Sequence, residues 1–123
     1  MKQRILVVDD DPTVMALTIS ILEKNGYEVI CASDGKHALD IIERVMPDLI
    51  VLDVMMPELN GSMVCGILKH DERFRSIPIV MLTGEQKAID HAIGRTMKAD
   101  AFFNKPINRV SFIRKIKELL NHA

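Results

Sequence analysis

Leu49-Ile50-Val51-Leu52-Asp53, with Pro47 before it and Val54-Met55-Met56-Pro57-Glu58-Leu59-Asn60-Gly61 after it, decides how the rest of the chain reads. Four large apolar residues in a row, with no polar residue alternating among them, predict a short strand buried on both faces. The Asp53 carboxylate then stands at the strand's C-terminal end. In an open parallel sheet that end faces the crevice where ligands bind, so an acid there is unlike an acid on a solvated surface.

Working outward, Ile5-Leu6-Val7-Val8 is another unbroken apolar run, followed at once by Asp9-Asp10-Asp11-Pro12. Val14, Leu17, Thr18, Ile21 and Leu22 recur at helical spacing, with Asp11 placed as the cap, Pro12 in the first turn and Asn25-Gly26 as the stop. Glu28-Val29-Ile30-Cys31 is short and partly polar, as an edge strand is. Ser33-Asp34-Gly35 opens a second helix striped by Ala38, Ile41, Ile42 and Val45, which Pro47 closes. Beyond the Asp53 loop, Val64, Ile67 and Leu68 mark a third helix. Ile77-Pro78-Ile79-Val80-Met81-Leu82 predicts a further buried strand ending at Thr83. Ile89, Ala92, Ile93 and Met97 predict a fourth helix, narrow-faced and interrupted by Gly94, and therefore the least firmly packed. Ala101-Phe102-Phe103-Asn104 is the last strand, Lys105-Pro106 turns the chain, and Phe112, Ile113, Ile116 and Leu120 stripe a closing helix.

Five strands alternating with five helices predict an α/β fold with a parallel, doubly wound sheet and right-handed crossovers. The runs ending at Val8, Leu52 and Leu82 are the most apolar and belong at the centre. The flavodoxin-like strand order 2-1-3-4-5 satisfies this, with its switch point between the first and third strands. Residues 1–123 form one domain, long enough to bury roughly two thirds of its unfolded surface. A net charge of -1, with neither sign dominating any long stretch, argues against nucleic acid or an anionic membrane as the main partner. The longest apolar runs are strand-sized and no signal peptide opens the chain, which points to the cytoplasm. Cys31 and Cys65 belong to no metal-spaced pair and read as reduced, structural thiols. His37, His70, His91 and His122 show no metal spacing and receive no role.

Asp9, Asp10 and Asp53 meet at the switch point. At an effective dielectric of about 20, each carboxylate pair ~4 Å apart costs on the order of 4 kcal/mol, so the cluster calls for a cation. Two or three protein oxygens completed by water suit magnesium, which dehydrates reluctantly and takes phosphate as a further partner. The fold brings Thr83 and Lys105 to the same sheet edge. An ammonium and a hydroxyl there, with a metal, can neutralise a phosphoryl group, and Asp53 can be its nucleophile. Taken singly, each group has a plainer reading: Asp11 as a helix cap, Thr83 as a turn residue, Lys105 as a solvated side chain. Their convergence on one edge favours a site.

Over its whole length the chain resembles the receiver domain of two-component response regulators, of the single-domain chemotaxis type. The resemblance rests on Ile5 to Asp11, Asp53 with Met56-Pro57 and Gly61 behind it, Thr83, and Lys105-Pro106. It implies that Asp53 accepts a phosphoryl group from the phosphohistidine of a sensor histidine kinase or phosphotransfer protein. It further implies magnesium held by Asp10, Asp53 and the Met55 backbone carbonyl, with Asp9 helping through water. Thr83 and Lys105 would contact phosphoryl oxygens, and Phe102 would change rotamer as Thr83 shifts. As a packed strand residue, Phe102 has a plainer reading, and it carries no hydroxyl to mark an inward state. The Lys105-Pro106 bond is expected to be cis. Lys98 departs from the glycine often found just after the fourth helix. Met55, two residues beyond the acceptor, cannot orient a water, whereas Glu85 is placed to, which implies slow to moderate self-dephosphorylation.

The implied protein is a switch and not an enzyme acting on a separate substrate. Output would run through the last two helices and last strand to a downstream target protein, with no nucleic acid or membrane involved, from a monomer or weak dimer. No DNA-binding or catalytic segment follows the last helix in this sequence, which directs the expectation to docking or phosphate relay. Three rivals fit less well. A magnesium-dependent aspartate phosphatase wants an acid where Met55 stands, an unphosphorylated interaction module has no use for the intact acids, and a flavin protein lacks aromatic, phosphate-cradling loops.

Overall fold

The apolar runs become the strands, and helix caps fix where the intervening segments begin. The computed structural model describes residues 2–56, 58–84 and 98–121. Five strands, β1 (Arg4–Val8), β2 (Glu28–Ala32), β3 (Leu49–Asp53), β4 (Ile79–Thr83) and β5 (Ala101–Asn104), form one sheet in the order β2-β1-β3-β4-β5. Every neighbouring pair is parallel. The order and the central position of β1, β3 and β4 are those the burial of their sequences predicts. Both β3 and β4 are buried at all five positions, because helices cover both sheet faces and no position along these strands meets water.

Four helices are described: α1 (Pro12–Lys24), α2 (Gly35–Val45), α3 (Gly61–Lys69) and α4 (Arg109–Leu120). The expected helix carrying Ile89, Ala92, Ile93 and Met97 lies outside the described residues, as do Glu85 and Pro57. Helices α2 and α3 pack Ala38, Ile41, Ile42, Val64, Cys65 and Leu68 on the face lined by Leu6, Val8, Ile50, Leu52, Ile79 and Met81. On the opposite face, α1 and α4 bury Ile21, Leu22, Phe112 and Ile116 against Ile5, Val7, Leu49, Val51, Val80 and Leu82. Each helix opens on a side chain that accepts from otherwise unpaired backbone N–H groups: Asp11 from Thr13 and Val14, Asp34 from His37, Asn60 from Met63, Asn108 from Ser111. Such caps stabilise a helix start by about 1 kcal/mol.

Two glycines set close approaches. A β-carbon at Gly61 would overlap the Asp53 carbonyl oxygen, and one at Gly35 would overlap that of Leu59. The first presses the start of α3 onto the end of β3, and the second holds α2 against the loop between them. Ile67, expected in the core, is 47% exposed, and Cys65 is buried on α3 beside Val64 and Leu68. Leu17 likewise stands largely outside the α1 stripe, whereas Thr18 is buried and its hydroxyl donates to the Val14 carbonyl. At the opposite end of the sheet from Asp53, the half-buried Lys69 donates to the carbonyls of Arg75 and Ile77 and pairs with Asp100 at 3.1 Å. Asp100 in turn accepts from the Ile79 N–H, fixing the start of β4.

Candidate functional site

Parallel strands all end on one edge, so the residues just past β1, β3, β4 and β5 are neighbours in space. The Asp9 N–H donates to the Ala32 carbonyl, prolonging the β1–β2 ladder by one residue and carrying the Asp9 side chain inward. Asp9 and Asp53 are each only 2% exposed, whereas Asp10 faces solvent. The two adjacent acids thus differ in burial: Asp9 lies in the floor of the site and Asp10 on its rim. Carboxylate oxygens of Asp9, Asp10 and Asp53 all lie within 4.8 Å of one another.

Lys105 reaches this cluster from beyond β5. Its backbone N–H donates to the Thr83 carbonyl at 2.8 Å, and the Lys105-Pro106 bond is cis, as the resemblance implies. The ammonium stands 3.1 Å from Asp9 Oδ2 and 3.2 Å from Asp53 Oδ1. Asp53 Oδ1 also accepts from the Met55 N–H at 3.2 Å, and Asp9 Oδ1 accepts from the Asp11 N–H at 2.8 Å. Thr83, almost wholly buried, ends the adjoining strand. Phe102 pairs in register with Met81 and packs, partly buried, against the core on the α2 and α3 side. The Met55 side chain is 61% exposed beside Asp53.

These contacts perturb the charges. Burial, reinforced by the neighbouring Asp9 carboxylate, pushes Asp53 up to about 6, against the opposing pull of Lys105 and the Met55 amide. At neutral pH the carboxylate is still mostly ionised and more basic than an ordinary aspartate, which strengthens it as a nucleophile. Burial works to lower Lys105, but its hydrogen bonds and charge interactions with Asp9 and Asp53 outweigh that and raise it, so the ammonium stays protonated.

Whether a divalent ion suits this cluster is decided by its donors. All three side chains offer hard carboxylate oxygens, and Asp9 Oδ2 is buried without an aligned hydrogen bond, although the Lys105 charge lies beside it. Three carboxylates share one ammonium there, so negative charge remains for a further cation to offset. The residues therefore fit a small oxygen-seeking ion.

A family model described as the response regulator receiver domain matches residues 5–117. The chain belongs to this family. Among its relatives, the alkaline phosphatase synthesis transcriptional regulatory protein PhoP of Bacillus subtilis is 40% identical over 123 residues, covering 100% of this chain and 50% of PhoP. Protein PilG of Pseudomonas aeruginosa is 34% identical over 114 residues, covering 93% of this chain and 84% of PilG. The solved structure of a CheY-like response regulator receiver domain protein from Methanospirillum hungatei superposes with a TM-score of 0.89 at 30% identity, covering 98% and 95% of the two chains. The receiver domain thus spans about half the length of PhoP and most of PilG. No described helix is long and apolar enough to cross a membrane.

The fold and the meeting of Asp9, Asp10, Asp53 and Lys105 at one edge agree with the sequence reading. Three features escaped it. Gly35 and Lys69 carried no sequence signal beyond a cap-like triplet and a basic residue near a helix end. The inward turn of Asp9 was invisible because its neighbours are also aspartates.

Proposed function

We propose that the domain is a phosphoacceptor switch in which Asp53 takes a phosphoryl group from the phosphohistidine of a sensor histidine kinase or phosphotransfer protein. The observation that carries this reading is the Lys105 ammonium held between two buried carboxylates, one of them the acceptor. An Asp53 oxygen attacks phosphorus, the P–N bond to the imidazole breaks, and the departing ring nitrogen keeps the bonding pair and takes up a proton. The Lys105 and Met55 contacts both fall on Oδ1, which fixes the carboxylate's orientation and leaves Oδ2 for the attack. Magnesium would be held by Asp10, Asp53 and the Met55 carbonyl, with Asp9 acting through water. When bound, it would neutralise charge on the phosphoryl oxygens. Lys105 moves its ion pair from Asp53 to a phosphoryl oxygen, and the Thr83 hydroxyl donates to another.

Phosphorylation adds about two negative charges to a buried position. The inward pull on Thr83, relayed through Phe102, then changes the surface formed by β5 and α4, which a downstream target protein reads. The domain acts on no separate substrate, works in the cytoplasm as a monomer or weak dimer, and catalyses only its own phosphorylation and dephosphorylation. Incubation with acetyl phosphate and magnesium, followed by intact mass, tests the proposal. A phosphoryl adduct is expected on the parent and none on Asp53→Asn; an unmodified parent, or an equal adduct on the variant, overturns it.

A further inference from the structure

The sheet face that carries α1 and α4 is not sealed at its outer margin. A groove of about 470 Å³ runs between the two helices, with Ile21, Val110 and Ile113 as its apolar lining. Val110 is 67% exposed there. On α4, Val110, Ile113, Arg114 and Lys117 follow at three- and four-residue spacing, so one face of the helix presents them as a row.

The rim is basic. Lys24 comes from α1, and Arg109, Arg114 and Lys117 come from α4; no acid lines the groove. None of these four cations forms an ion pair with a described residue, whereas Lys115, one position from Arg114, pairs with Glu118. Arg109 stands in the first turn of α4, where the helix dipole disfavours a positive charge, and that turn holds no acid. Arg114 and Lys117 are like charges three residues apart, another local cost. A chain of net charge -1 therefore gathers four cations around one apolar floor without neutralising them internally.

We propose that this groove docks an acidic amphipathic helix of a partner protein, its apolar stripe on Val110 and Ile113 above the buried Ile21 and its carboxylates against Lys24, Arg109, Arg114 and Lys117. Apolar anchors with a charged surround are the pattern of helix-in-groove recognition. Nucleic acid fits less well, since no aromatic side chain lines the groove to stack a base. A bilayer surface does not enter a recess between helices. A second copy of this chain supplies no suitable occupant among its described helices: on α2, Asp40 and Glu43 are offset by Lys36 and Arg44. Asp53 and its neighbours line no part of the groove, so occupancy and phosphorylation are separable events.

The test uses the full chain and a fluorescent synthetic helix about five turns long, with one leucine stripe flanked by glutamates. A control peptide keeps the leucines and replaces every glutamate by lysine. Anisotropy is expected to show saturable binding of the acidic peptide in the micromolar range, weakened at least about tenfold by the double substitution Arg114→Glu and Lys117→Glu. Amide NMR shifts are expected around Ile21, Val110 and Ile113. Arg114 and Lys117 are exposed, and circular dichroism checks that the variant is folded. Equal binding of the lysine peptide, or parental affinity in the double variant, overturns the proposal. So does tighter binding to duplex DNA or phosphatidylserine vesicles that the same double substitution abolishes.

Discussion

Asp53→Asn is expected to make the metal-free protein more stable at neutral pH, although it removes the proposed acceptor. Folding carries the Asp53 carboxyl from an ordinary 3.8 to about 6. At about 1.4 kcal/mol per pH unit, that displacement costs the ionised folded state about 3 kcal/mol. The sign follows from proton uptake: between the two values the folded state binds the proton more tightly than the unfolded chain. Stability of the parent therefore falls as pH rises from about 4 to 6, and the whole penalty stands above that window. Asparagine keeps the shape, and its carbonyl oxygen can still accept from the Met55 N–H and from Lys105, which retains Asp9 as a charged partner. Denaturant unfolding in the presence of a chelator should then show an advantage of about 3 kcal/mol for the variant at pH 7.5, or about 10 °C in melting temperature for a domain of this size. The advantage should vanish near pH 4. Magnesium should narrow it at neutral pH, because an ion bound to the native parent stabilises it by mass action. A variant no more stable than the parent at pH 7.5, or one whose advantage persists undiminished at pH 4, would refute the reasoning.

Other residues give independent checks. Lys98 adopts a left-handed backbone at φ 62°, so Lys98→Gly should raise stability by ~1 kcal/mol; an unchanged or lower melting temperature counts against it. Gly61→Ala should cost about 1–3 kcal/mol by forcing α3 off the Asp53 carbonyl, and should slow labelling by acetyl phosphate more than Gly66→Ala, where a β-carbon meets open space. Lys69→Met strands the Ile77 carbonyl and the Asp100 carboxylate, and chemical denaturation should register a loss of about 2 kcal/mol. Met55→Asn places a polar group beside the acceptor and should speed loss of the phosphoryl group, followed by radiolabel decay; an equal or slower rate removes that idea.

What the sequence made legible was whatever burial alone dictates. Unbroken apolar runs at Ile5, Leu49 and Ile79 specify strands covered on both sides, and from their relative polarity the strand order follows. The caps at Asp11 and Asp34 announce themselves because few residue types satisfy a helix start. Rotation of a helix about its own axis is harder to read. On α3 the apolar spacing permits Ile67 or Cys65 inward, and the Gly61 contact with the Asp53 carbonyl is a tertiary restraint that spacing does not encode. The site divides similarly: topology brings Asp9, Asp10, Asp53, Thr83 and Lys105 to one edge, but which aspartate turns inward depends on how far the β1–β2 ladder continues.

Lys105 rests between Asp9 and Asp53 before any reaction begins. Its side chain is largely withdrawn from water on folding, so under the proposed role the phosphoryl oxygens would meet a cation that needs neither full dehydration nor a long swing into place. Part of the work of stabilising that transition state would thus be done when the chain folds, with the ammonium exchanging one anionic neighbour for another.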